Sequence, residues 1–171
     1  MPNTYTLIAS STVGSGGTAS VTFSSIAATY TDLVVKISSR EESESNTEMR
    51  MRINGNTSSI YSTRELRGTG STAASFTLSG TLAVAGRQNT AASTGSTFGN
   101  FEIYLPNYAN TSYNKSFSSD SVTENNATTA YTSFVAGLFS STSAITSLSF
   151  FCEVGDLAQY STFYLYGITN S

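Results

Sequence analysis

Histidine and tryptophan are absent from this chain, cysteine occurs once, and charged residues fill only 11% of its 171 positions. Without histidine there is no ordinary proton shuttle near neutral pH, no Ser–His or Cys–His nucleophile pair, and no imidazole metal ligand. A single cysteine, Cys152, rules out an intrachain disulfide and leaves any zinc site to carboxylates alone. Its neighbours, "SFFCEV", predict a small packed side chain rather than a reactive thiol. Lys36 and Lys115 are the only lysines and the arginines are scattered, with a formal charge of −3. Nucleic-acid backbones are held by clustered cations that release counterions, so no nucleic-acid partner is expected. No run approaches the roughly 18 apolar residues of a membrane helix, and "MPNTYTLIAS" has no basic region leading into an apolar one. Neither a membrane partner nor a signal peptide is expected.

What the chain does have is hydroxyl groups and rings. Ser and Thr fill about a third of it, beside ten Tyr and ten Phe. Low charge with many aromatics argues for a folded protein, since disordered segments are charge-rich and aromatic-poor. The dominant period is two. In "DLVVKIS" Leu33, Val35 and Ile37 share a face; in "EMRMRI" Met49, Met51 and Ile53 oppose Arg50 and Arg52. "NFEIYLP" sets Phe101, Ile103 and Leu105 against Glu102 and Tyr104, and "TFYLYGI" sets Phe163 and Leu165 against Tyr164 and Tyr166. Each reads as a strand with one buried face. Further strands are predicted over 4–12, 19–26, 58–66, 74–85, 114–123, 130–139 and 145–154, with one short helical turn allowed in "AATYTD" (27–32). "VGSGGT", "NGN", "GTGS" and "STGST" supply the turns. The expected fold is all-β: one domain over 1–171, an antiparallel two-sheet sandwich of about ten strands, jelly-roll-like, with residues 1–12 as an N-terminal strand or arm.

Chemistry is harder to find. Asp120 and Glu124 in "SDSVTEN" are the nearest pair of carboxylates, but four residues along a strand separate them by roughly 13 Å. Glycosidase pairs stand roughly 5–9.5 Å apart, which leaves room only for a partner from another strand, such as Glu102 or Glu153. "REESESNTE" (40–48) lacks the alternating oxygens and fixed glycine of a calcium loop and reads as a solvated connection. No enzyme activity, metal or cofactor is expected. Tyr104, Tyr108, Tyr113, Tyr164 and Tyr166 read as outward-facing, and tyrosine suits a surface that becomes an interface; ordinary sheet-surface tyrosines are the plainer reading. In "STRELRG" (62–68), Arg64 and Arg67 fit either surface ion pairs or a subunit contact.

Several stretches taken in order carry a resemblance: "YTLIASSTVGSGG", "FSSIAATYTDLVVKIS", "INGN", "IYLPNYAN", "SDSVTENNAT", "AGLFSSTSAITSLSF" and "QYSTFYLYGI". Together they resemble a family of virion structural proteins of tailed phages, notably those of marine and freshwater bacteria. Two positions depart from the family pattern, Ala27 in place of proline and Phe139 in place of tryptophan. The resemblance implies a small β-sandwich displayed on a virion, as a capsid decoration or cement protein, a head fibre, or a tail-fibre or receptor-binding module. One compact domain, low charge and abundant outward hydroxyls and tyrosines make a decoration or cement protein the leading expectation, one that binds itself, as a trimer at a three-fold position, and a major capsid protein. Its alternative is a tail- or head-fibre module that binds a glycan or receptor, with loops 13–18, 40–48, 68–72 and 90–98 supplying the contacts. It carries over no catalytic residues.

Overall fold

A computed structural model describes residues 4–44, 47–126 and 130–169. Residues 1–3 of the expected N-terminal arm, 45–46 of the charged connection and 127–129 after the predicted strand 114–123 lie outside them. Twelve strands form among the described residues, and no helix does. In chain order these are β1 (Tyr5–Thr12), β2 (Val21–Phe23), β3 (Asp32–Ser39), β4 (Glu48–Ile53), β5 (Tyr61–Gly68) and β6 (Ala73–Gly80). They continue as β7 (Ala83–Arg87), β8 (Gly99–Leu105), β9 (Lys115–Val122), β10 (Thr132–Phe139), β11 (Leu148–Cys152) and β12 (Thr162–Ile168).

The strands build two antiparallel sheets, one in the order β1-β12-β3-β8-β9-β10-β5-β6 and one in the order β2-β11-β4-β7. Four of the pairings nest inside one another: β1 with β12, β2 with β11, β3 with β8, and β4 with β7. A double-stranded ribbon that rolls up so that successive segments alternate between two layers is a jelly roll. These eight strands therefore complete the roll. The hairpin β5–β6 enters between β4 and β7, and the hairpin β9–β10 enters between β8 and β11. They pair through β10 and β5 and widen one sheet by four strands.

The alternation in sequence becomes the core between the sheets. Val35, Met49, Met51, Ile103, Phe150, Phe163 and Leu165 are fully buried. The rings of Phe150 on β11 and Phe163 on β12 meet across the layers at 5.8 Å between centroids. Packing of this kind is where branched and aromatic strand residues contribute their stability, at about 1.5–3 kcal/mol per large buried side chain. Beneath the added hairpins the interior turns polar. Arg87 on β7 makes two hydrogen bonds to the Glu65 carboxylate on β5, at 2.9 and 2.6 Å, and Ser133 Oγ donates to the same carboxylate at 2.8 Å. Ser119 Oγ donates to the Ala85 carbonyl at 2.6 Å, and the Arg87 amide donates to Ser121 Oγ at 2.9 Å. Ser121 fits there because it lies against Gly86, whose φ of 137° suits only glycine and whose missing Cβ leaves the space.

Three sequence readings need correction. The stretch 74–85, expected as one strand, is two strands in different sheets, β6 and β7, joined at Thr81 and Leu82. No helical turn forms in 27–32; the chain makes a plain turn there. The charged connection is not simply solvated: Glu41 is fully buried, and Arg40 clamps the β7–β8 loop. Its guanidinium donates to the carbonyls of Ala91, Ser93, Thr94 and Thr97 at 2.9–3.1 Å.

Candidate functional site

The outer face of the eight-stranded sheet holds most of the residues singled out from sequence. Register fixes a row of cross-strand neighbours that runs the width of the sheet: Ser10, Tyr164, Lys36, Glu102, Asp120, Phe134, Leu66 and Ser75. A parallel row passes through Leu7, Tyr166, Val34, Tyr104, Ser118, Ala136, Arg64 and Thr77. Two apolar areas result, one at each side of the face.

The first is aromatic. Tyr5 and Tyr166 meet edge to face at 6.1 Å, and Tyr166 stacks beside Tyr164 at 6.5 Å. Tyr104 lies two strands away, with Val34 between it and Tyr166; Val34 points outward and is nonetheless buried. The Tyr104 hydroxyl donates to Asp32 Oδ2 at 2.9 Å, while Asp32 Oδ1 accepts from the Asn107 amide at 2.8 Å. That bond to the Asp32 carboxylate raises the Tyr104 pKa above its ordinary value, and burial adds to it. The ring is thereby fixed in place, so little rotamer freedom remains to be lost when a partner covers it. The second area is aliphatic and aromatic together, with Leu66 and Phe134 exposed by 57% and 60%. It borders a groove of about 530 Å³ that also includes Arg64, Ser118 and Asp120.

Between the two areas lie the charges. Lys36 Nζ bridges Glu102 at 2.8 Å, and that hydrogen bond raises the lysine pKa. Glu102 stands directly opposite Asp120, so the cross-strand partner left open by the sequence is present. Burial pushes the Asp120 pKa up and the Glu102 charge adds to it, while Lys36 opposes. Both carboxylates line a groove of about 430 Å³ with Asn100, Tyr164 and Tyr166. Glu102 is engaged by Lys36 in an exposed bridge, where water screens the charges. This arrangement offers hydrogen bonds to a polar group resting on the tyrosines. Among the described residues no group of three or more Cys, Asp or Glu side chains is placed to hold a metal ion.

The remaining candidates disperse. Tyr108, read as outward, is fully buried: its hydroxyl donates to the Ala27 carbonyl and accepts from the Tyr30 amide at 3.4 Å. Tyr113 is exposed, but on the β8–β9 loop at the end of the sandwich rather than on the face. Arg64 projects to the outer face. Arg67 belongs to the inner side, where its guanidinium covers Phe76 at 4.1 Å and Tyr131 at 4.9 Å. Glu65, which stands between these arginines in "STRELRG", is the buried partner of Arg87. Sequence reasoning missed Tyr5, Leu7, Leu66 and Phe134, although the period-two pattern puts Leu66 beside Arg64 and Phe134 beside Ala136.

The four loops named for ligand binding gather at one end, since Thr12, Thr162, Ser38, Asn100, Val122, Thr132 and Gly68 follow one another across the strands. The 40–48 and 90–98 loops are tied together by a backbone hydrogen bond from Ala91 to Ser43, and the 13–18 and 40–48 loops are each held to the β11–β12 loop by bonds from Thr18 to Leu157 and from Glu42 to Asp156. The 68–72 turn stands apart, beside a groove of about 390 Å³ shared with Val122 and Tyr131. No protein-family model matches the chain, and no curated protein matches it.

Proposed function

We propose that the chain is a non-enzymatic structural protein of a tailed-phage virion, which binds the outer capsid surface and stabilises contacts between capsomers. The observation that carries the reading is the broad outer face of the widened sheet. Tyr5, Leu7, Tyr104 and Tyr164 at one side and Leu66 and Phe134 at the other expose large apolar area with few charges between. Such a face gains by being covered: apolar area leaves water, and hydroxyl groups find partners without the desolvation cost of buried charge. A sheet widened to eight strands suits a bridge between neighbouring subunits. The series of stretches that resemble phage virion proteins supplies the setting.

Purified virions provide the test. A decoration protein is present in hundreds of copies, and particles stripped of it release DNA at a lower temperature. Tyr164→Ala together with Phe134→Ser weakens rebinding to stripped particles and leaves the unfolding temperature of the isolated protein unchanged. Absence from mature particles, or stripped particles as heat-stable as intact ones, overturns the proposal. The fibre alternative draws support from the groove in which Tyr164 and Tyr166 adjoin Asn100, Glu102 and Asp120, ring and polar groups of the kind that hold a sugar. Specific binding on a glycan array, lost in Tyr164→Ala, together with a few copies per particle, favours it.

A further inference from the structure

The inserted hairpin β5–β6 leaves an edge unlike the others in the molecule. An open edge exposes unpaired backbone groups, and proteins blunt such edges with charge, proline, bulges or shortness. β2 has only three residues, and the pairings of β1 and β7 carry register shifts at Leu7/Ala9 and Met49/Arg50. β6 has none of these devices. It runs eight residues as "AASFTLSG", without charge or proline, in unbroken register with β5 from Ala73↔Gly68 to Gly80↔Tyr61.

Its inward side chains are also only partly covered. Phe76 and Leu78 lie opposite Glu65 and Thr63, on the side that faces the smaller sheet, yet remain 41% and 39% exposed. The smaller sheet ends at β7. Only a groove of about 160 Å³, reaching Val84, Arg87 and Glu48, lies beneath. Arg67 covers one face of the Phe76 ring.

We infer that β6 pairs antiparallel with β6 of a second copy of this chain, about a two-fold axis perpendicular to the sheet. That axis keeps both smaller sheets on the same side, so the Phe76 and Leu78 side chains of the two copies meet over the groove and shelter one another. Two eight-residue edges exchange up to about eight backbone hydrogen bonds. The occupant is the chain itself because an uncharged strand meets its own copy without like charges opposed, whereas a charged partner strand finds no complement here. The two outer faces become one sixteen-stranded surface. The inference stands apart from the virion reading, and its two-fold contact differs from the trimer expected from sequence.

Sedimentation of the full chain across the micromolar range tests it. The wild type is expected to pass from monomer to dimer. Thr77→Lys and Thr77→Glu, each at an exposed position on the side of β6 away from Phe76, are expected to stay folded and monomeric, the lysine unfolding slightly earlier than the glutamate because Arg64 stands opposite. Mixed in equal amounts, those two variants are expected to regain the dimer, which no loss of folding would produce. Ser10→Lys on the opposite edge, β1, is expected to leave the dimer intact. A wild type that stays monomeric throughout, or an oligomer of any size that survives Thr77→Lys, overturns the inference.

Discussion

Replacing Glu41 with Gln should stabilise the protein above neutral pH and leave it unchanged in acid. Glu41 follows β3 and is fully buried; its Oε2 accepts a hydrogen bond from Gln88 Nε2 at 3.4 Å, and its Oε1 has no partner. Burial pushes its pKa from 4.5 up to about 7; Gln88 and Arg50 oppose the rise and Glu153 adds to it. Between those two values the folded protein keeps a proton that the unfolded chain has released. Stability therefore falls as pH rises from 4.5 to about 7 and is level above that. The difference corresponds to roughly 3 kcal/mol. Gln is neutral at every pH, so the variant escapes the loss. For a domain of this size, roughly 3 kcal/mol raises the unfolding temperature by about 6–12 °C at pH 8. Thermal unfolding of wild type and Glu41→Gln from pH 4.5 to 8 measures it. The absence of histidine keeps the window clear, because no side chain titrates there at its ordinary pKa. Asp120, whose pKa is raised in the same direction, is controlled with Asp120→Asn. An equal pH dependence in wild type and Glu41→Gln would refute the reasoning.

Three further outcomes follow from the interior. Glu65→Leu strands the Arg87 guanidinium with Glu48 at 3.2 Å as its remaining ion-pair partner and should cost about 3–5 kcal/mol by denaturant unfolding. Adding Arg87→Met should recover part of that loss, whereas independent sites would add. Gly137→Ala places a methyl group against the ring of Phe117 on the neighbouring strand and should cost roughly 1–3 kcal/mol, relieved when Phe117→Leu is added. Arg40→Lys loses the fork that reaches four carbonyls at once and should release the 91–97 loop, seen as faster amide exchange there with the core strands unchanged.

The sequence made the strands legible wherever one face was uniformly apolar. Met49, Met51 and Ile53, or Phe163 and Leu165, could hardly pack any other way. It was less informative where burial depended on a distant partner. Tyr108 follows a proline in a loop and looks exposed, yet its hydroxyl is taken up by Ala27 and Tyr30, some eighty residues earlier. Glu65 sits between Arg64 and Arg67 like a surface charge, and only β7 folding beneath it makes it an interior one. The split of 74–85 into β6 and β7 escaped notice because the hydroxyl-rich residues continue through the crossing from one sheet to the other. The aromatic area on the outer face was half visible. Alternation gave Tyr104, Tyr164 and Tyr166, but joining them to Tyr5 required knowing that β12 lies between β1 and β3.

The rolled ribbon also governs when each strand can find its neighbour during synthesis. Tyr5 is opposite Ile168, so the first of the twelve strands in chain order is paired with the twelfth. β5 and β6 meet across a four-residue turn and can form before β7 to β12 are made. Closure of distant pairs is slow because chain entropy is spent before contact repays it. As the polypeptide emerges, β1 must wait with its backbone bonded to water until β12 arrives, and of the four sheet edges β6 is the first that can be finished.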